Sequence, residues 1–158
     1  MSILLVMIGL FVTSASTPVA PANPSGHETI TISAFMFYQK SNSFDIRDLV
    51  KGGLALHNVI IGEGDALAAT TSTLVVVQLL HEPGPSGEAQ LTLFAQAGER
   101  KLLERQVQLP KSENRLSELV PFLLEGTGCE ILELTASVTW ADGRKHSRSE
   151  RIPFECGE

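Results

Sequence analysis

Leu132-Glu133-Leu134-Thr135-Ala136-Ser137-Val138-Thr139-Trp140 alternates apolar with polar or acidic residues at every step. A period of two puts Leu132, Leu134, Ala136, Val138 and Trp140 on one face of an extended chain, the pattern of a strand with one buried side. Ala141-Asp142-Gly143-Arg144 follows with hairpin-turn chemistry, so a return strand is expected from Lys145 to Cys156.

The two cysteines of the chain, Cys129 and Cys156, flank this hairpin. A two-residue turn at Asp142-Gly143 would set Ala141 opposite Arg144 and Cys129 opposite Cys156. That register also sets Leu132 opposite Pro153 and turns Ile152 and Phe154 off the shared apolar face. A bulge in the return strand, or a three-residue turn with Gly143 left-handed, restores the face and makes the cysteines diagonal neighbours. Either geometry allows one intramolecular disulfide, which needs a Cα separation of about 4.4–6.8 Å.

Further strand signals lie upstream. Ile30, Ile32, Ala34 and Met36 alternate with Thr29, Thr31 and Ser33, opening the domain near Glu28, and Phe35 and Phe37 add bulk on the other face. Residues 73–80 (TLVVVQLL), 89–95 (AQLTLFA) and 101–109 are rich in strand formers and separated by the turn-rich EPGPSGE and AQAGE stretches. A helix capped by Ser112 would be stopped by Pro121, so a short strand over 119–125 is expected. Residues 43–51 are the best helix candidate, with Ser43 or Asp45 as cap, an Ile46-Leu49-Val50 stripe and Gly52-Gly53 as stop. Residues 54–61 suggest one more strand. The expected class is all-β, mostly antiparallel: an immunoglobulin-like or related Greek-key β-sandwich with one short helix, spanning residues 28–158 as a single domain.

Residues 1–22 are expected as a signal peptide. Ile3 to Val12 is an apolar run too short for a bilayer span, and small residues follow it, although no Lys or Arg precedes it. Cleavage after Ser16 or after Ala22 fits equally, and residues 23–27 then form a flexible leader. This reading implies a secreted or periplasmic protein in an oxidising compartment, where two cysteines usually pair.

The chain has 158 residues, 43% hydrophobic and 19% charged, with a net charge of −6. Such a balance suits a globular domain and argues against nucleic-acid binding, which needs a surplus of Lys and Arg. After residue 12 no stretch is apolar for long enough to cross a membrane as a helix.

Chemistry-bearing motifs are sparse. Gly62-Glu63-Gly64-Asp65 joins two flexible glycines to two carboxylates and is a candidate functional loop. Calcium takes about six to eight oxygens, so a tight structural turn is the simpler reading. His27, His57, His81 and His146 lack zinc-ligand spacing, and no nucleophile-elbow pattern occurs. No cofactor is expected. Arg144, Lys145, His146, Arg148 and Arg151 crowd the return strand. Charge protecting a sheet edge accounts for them, and contact with an acidic partner or a glycan sulfate is the alternative. Phe35, Phe37 and Tyr38 are candidates for an exposed apolar contact. The expected function is a non-enzymatic, exported accessory or binding module with a protein partner, in an envelope or extracellular assembly. An inhibitor or adhesin-like module and a small metal-dependent hydrolase are the alternatives.

Overall fold

Alternation of buried and exposed side chains runs through most of the long strands, Arg100–Leu109 and Lys145–Ile152 being largely exposed instead, and the strands build two four-stranded antiparallel sheets. The computed structural model describes residues 29–80, 88–110 and 117–157. In the first sheet, β1 (Thr29–Tyr38) lies between β2 (Ser43–Phe44) and β3 (Ser72–Leu80), and β6 (Ser117–Glu125) completes the order β2-β1-β3-β6. In the second, β4 (Ala89–Ala97), β5 (Arg100–Leu109), β7 (Leu132–Trp140) and β8 (Lys145–Ile152) run in the order β5-β4-β7-β8. Ile32, Met36, Val75, Val77 and Phe122 of one sheet pack with Leu91, Leu93, Leu134, Val138 and Ile152 of the other in one core, and the chain is a β-sandwich.

The β7–β8 hairpin takes the three-residue turn. Trp140 N–H donates to Arg144 O and Gly143 N–H to Trp140 O, with Gly143 at φ +86°. Leu132 therefore pairs with Ile152 rather than Pro153, so the two-residue register does not hold. A slip of one residue would have turned Ile152 out of the core, and that burial selects the turn. Cys129 and Cys156 form a disulfide with Cα atoms 4.6 Å apart.

Two expectations are corrected. Residues 43–51 are not a helix: Ser43 and Phe44 pair with Tyr38 and Phe37, and only a 3-10 turn, Leu49–Lys51, follows. Side-chain bonds to the backbone outcompete the helix there. Asp45 Oδ1 accepts the Arg47 amide at 3.0 Å, and Asp48 Oδ1 accepts both Ala34 N–H and Val50 N–H. Ile46, assigned to the apolar stripe, is 88% exposed. Residues 54–61 are likewise no strand. Asn58 sits at φ +51°, Ile61 N–H closes a turn on Asn58 O, and one isolated bridge joins His57 to Glu155.

The segment from Asp45 to Thr70 is tied down by polar contacts at one end of the sandwich. Asp45 is buried and grips Arg47, whose Nη2 lies 2.6 Å from Asp45 Oδ2. The Arg47 guanidinium holds the Asp45 carboxyl below its usual range. Leu67 N–H donates to Tyr38 Oη, and Thr70 Oγ1 donates to Phe37 O. The C-terminal tail closes the same end: Asn58 N–H donates to Glu155 O, and Glu155 N–H donates to Leu56 O. The expected signal peptide (1–22), the expected leader (23–27), the EPGPSGE stretch, Ser112, His27 and His81 lie outside the described residues, apart from Glu88 at the end of that stretch.

Candidate functional site

Two sheets have two outer faces, and here they differ. On the β5-β4-β7-β8 sheet the outward positions include Gln90, Thr92, Gln96, Thr135, Ser137 and Ser149, a polar surface of the ordinary kind. The other sheet inverts the pattern. Its strands β3 and β6 carry apolar residues at consecutive positions, so filling the core still leaves Leu74, Val76, Leu119, Pro121 and Leu123 facing outward.

Register assembles these residues into rows. Phe35 pairs with Leu74 and Leu74 with Leu123; Val76 pairs with Pro121, and Phe37 with Phe44. The Phe35 and Phe44 rings meet at 5.8 Å between centroids. Leu119 is 63% exposed and Leu123 46%. Among the outward positions of β1, β3 and β6, only Glu125, at a strand end, is charged. The apolar cluster covers part of the face: Ser33 shares the row of Val76 and Pro121, and Thr31 and Gln78, hydrogen-bonded to each other, share the row of Leu119. An uncharged cluster of this kind on a sheet face is a candidate contact surface.

Of the aromatics expected at a contact, Phe35 and Phe37 lie half-buried on this face. Tyr38 does not. Its side chain points into the core and its hydroxyl accepts the Leu67 amide, while burial raises its pKa. Residues that sequence reasoning left out of the site are Phe44, Leu74, Val76, Leu119, Pro121 and Leu123. The readable signal was apolarity at both parities of TLVVVQLL and LVPFLL, which implies burial on both sides of a strand.

Strand alternation divides the basic cluster. Lys145 and Arg151 point to the polar outer face, whereas Arg144, His146 and Arg148 lie on the opposite side of the edge strand β8. Acidic neighbours meet most of these charges: Arg144 Nε lies 2.6 Å from Asp142 Oδ2, Arg148 Nη2 lies 2.6 Å from Glu150 Oε1, and Arg151 stands opposite Glu133. Arg144 also covers the Trp140 ring at 5.1 Å. A shallow groove of about 570 Å³ runs over Glu133, Thr135, Ser149 and Arg151.

The Gly62-Glu63-Gly64-Asp65 loop uses both its carboxylates on the protein itself. Glu63 Oε2 accepts from Asn58 Nδ2 at 2.8 Å, and Asp65 Oδ2 accepts from Ala55 N–H at 2.6 Å. Glycine is required at Gly64, where φ is +66° and a Cβ would lie 2.3 Å from Ala55 O. These contacts describe a structural turn that fastens the Asp45–Thr70 segment. Among the described residues no group of three or more His, Cys, Asp or Glu is gathered as a metal site. Comparison with protein-family models finds no match to this chain, and comparison with curated proteins finds none either.

Proposed function

We propose that this chain is an exported, non-enzymatic β-sandwich that serves as an accessory or binding module, docking a protein through the outer face of the β2-β1-β3-β6 sheet. The observation that carries this reading is the contrast between the two outer faces: one is polar apart from Phe94, and the other is free of charge except at Glu125 and clusters Phe35, Phe44, Leu74, Val76, Pro121 and Leu123 beside the polar Thr31, Ser33 and Gln78. The Cys129–Cys156 disulfide and the apolar run Ile3 to Val12 support a secreted or periplasmic location. The sheet orders β2-β1-β3-β6 and β5-β4-β7-β8 support an immunoglobulin-like arrangement of the sandwich.

Sites for chemistry have little support. Asp45, Asp48, Glu63 and Asp65 each bind backbone or side-chain donors of the chain itself. The mostly compensated charges of β8 favour edge protection over recognition of an acidic partner. Affinity capture from the native source tests the reading. Tagged wild-type chain should retain a defined protein that Leu119→Glu and Leu123→Glu lose, while Lys145→Ser and Arg151→Ser keep it. Equal retention by the two face variants would refute the docking face.

A further inference from the structure

We infer that the protein seated on the outer face of β2-β1-β3-β6 is a second copy of this chain, packed sheet against sheet. The inference rests on the docking reading above and names its occupant.

Strand addition is disfavoured at every edge. β6 carries Pro121 at its centre, β5 carries Arg100, Lys101, Glu104 and Arg105 and faces a register shift between Ala95 and Gln96, and β8 carries the basic cluster. The remaining edge of the first sheet is β2, only two residues long. Association therefore falls to a face, and one face is suited to it.

Charge permits self-association at this face. Each copy carries a net charge of −6, so two copies repel unless the surfaces that meet are neutral. The outward positions of β1, β3 and β6 meet that condition, with Glu125 alone charged and at the rim. A partner of opposite charge would instead be matched by acidic groups within the face, and there are none at its centre.

Size also fits. Three long strands and one short one, about 4.8 Å apart and about 30 Å long, project about 500 Å² per copy, or about 1,000 Å² for a pair. That area counts the polar rows with the apolar ones and lies at the lower limit for a specific interface, which suits a weak, concentration-dependent dimer. Two such sheets pack about 10 Å apart with their strands nearly aligned. A two-fold axis running along the strands maps each cross-strand row onto itself, laying Phe35 of one copy over Leu74 of the other and Phe44 over the rim residue Glu125. It also keeps the two Glu125 carboxylates on opposite flanks.

Sedimentation velocity on the purified full chain, from about 1 to 200 µM, reads the monomer–dimer equilibrium directly. The wild type should dimerise reversibly, and more tightly at high salt, because screening relieves repulsion outside a neutral interface. Leu119→Glu and Leu123→Glu should each raise the dissociation constant at least about tenfold by bringing charge into that interface. Both positions are exposed, so the melting temperatures of the variants should stay near wild type and show that the fold is intact. A wild type that is monomeric throughout overturns the inference, as does a dimer that both variants leave unchanged. A monomer that still loses a captured protein on Leu123→Glu removes only the second copy as occupant; unchanged capture removes the docking face as well.

Discussion

Cys129 and Cys156 bond beyond the open end of the β7–β8 hairpin, with 4.6 Å between their Cα atoms. The ladder itself ends at the pair Leu132 and Ile152, where Phe154 N–H turns back onto Ile152 O, so the bridge joins two segments that the sheet no longer holds together. Its effect reaches beyond the hairpin. Glu155 also exchanges backbone hydrogen bonds with Leu56 and Asn58, so the disulfide anchors the tail that holds the Asp45–Thr70 segment in place.

Reduction should therefore destabilise the domain. The bridge spans 27 residues, and closing a loop of that length contributes about 3–4 kcal/mol through the unfolded chain. Cys129→Ser with Cys156→Ser should lower the urea midpoint correspondingly. Hydrogen exchange should rise first at the Asn58 and Glu155 amides, which donate across this junction. Two thiols that alkylate freely in native protein from an oxidising compartment would contradict the assignment.

Asp45 should make stability depend on acid pH. Its carboxyl is buried against Arg47 and titrates below the ordinary aspartate value. Folding then favours the ionised form, so the stabilisation is complete above the unfolded pKa of about 3.9 and is lost as pH falls through the lower folded value. Urea denaturation at a series of pH values should show this loss, and Asp45→Asn should flatten it. The substitution should cost about 1–3 kcal/mol at neutral pH, since Arg47 loses its ionic partner. An unchanged acid profile in Asp45→Asn would mean that other carboxylates carry the effect.

Two glycines with left-handed backbones should respond differently to alanine. At Gly64 the new Cβ would clash with Ala55 O, whereas at Gly143, φ +86°, nothing lies within 4 Å. Gly143→Ala should cost about 1 kcal/mol from backbone conformation alone. Gly64→Ala adds displacement of the loop and should cost about 2 kcal/mol or more. Thermal melts of the two variants make the comparison, and equal losses would show that the loop moves aside freely.

What could be read from the chain follows from how local the determinants are. β7 was legible because its alternation is complete over Leu132 to Trp140, and the turn was narrowed to two geometries by where Ile152 must point. The segment Asp45 to Thr70 was not legible. Its order comes from side chains that reach distant backbone, such as Asp48 to Ala34 and Asp65 to Ala55. A window of neighbours contains no trace of those partners, and cap-like aspartates there resemble a helix start. The apolar cluster on the outer face was half legible: Phe35 and Phe37 stood out by residue type. Leu74, Val76 and Leu123 join them only once the order β1-β3-β6 is known.

The last expectation concerns why β8 is basic. As an edge strand it presents unpaired backbone groups to any passing chain, and Lys145, Arg148 and Arg151 sit along it. Because Arg148 is paired with Glu150 and Arg151 stands opposite Glu133, their removal should change folding stability by no more than about 0.5–1 kcal/mol. Solubility should change far more. The triple variant Lys145→Val, Arg148→Val and Arg151→Val removes the positive charges of the strand and enriches it in β-branched side chains beside His146, Ser147, Ser149 and Glu150, which favours intermolecular strand pairing. Light scattering and thioflavin fluorescence should report concentration-dependent aggregation of this variant under conditions where the wild type stays clear. A ligand-contact role predicts the opposite outcome: unchanged solubility, and loss of binding to a sulfated glycan such as heparin that the wild type retains. If the wild type binds heparin and the variant neither binds it nor aggregates, the basic strand is a recognition element and not edge protection.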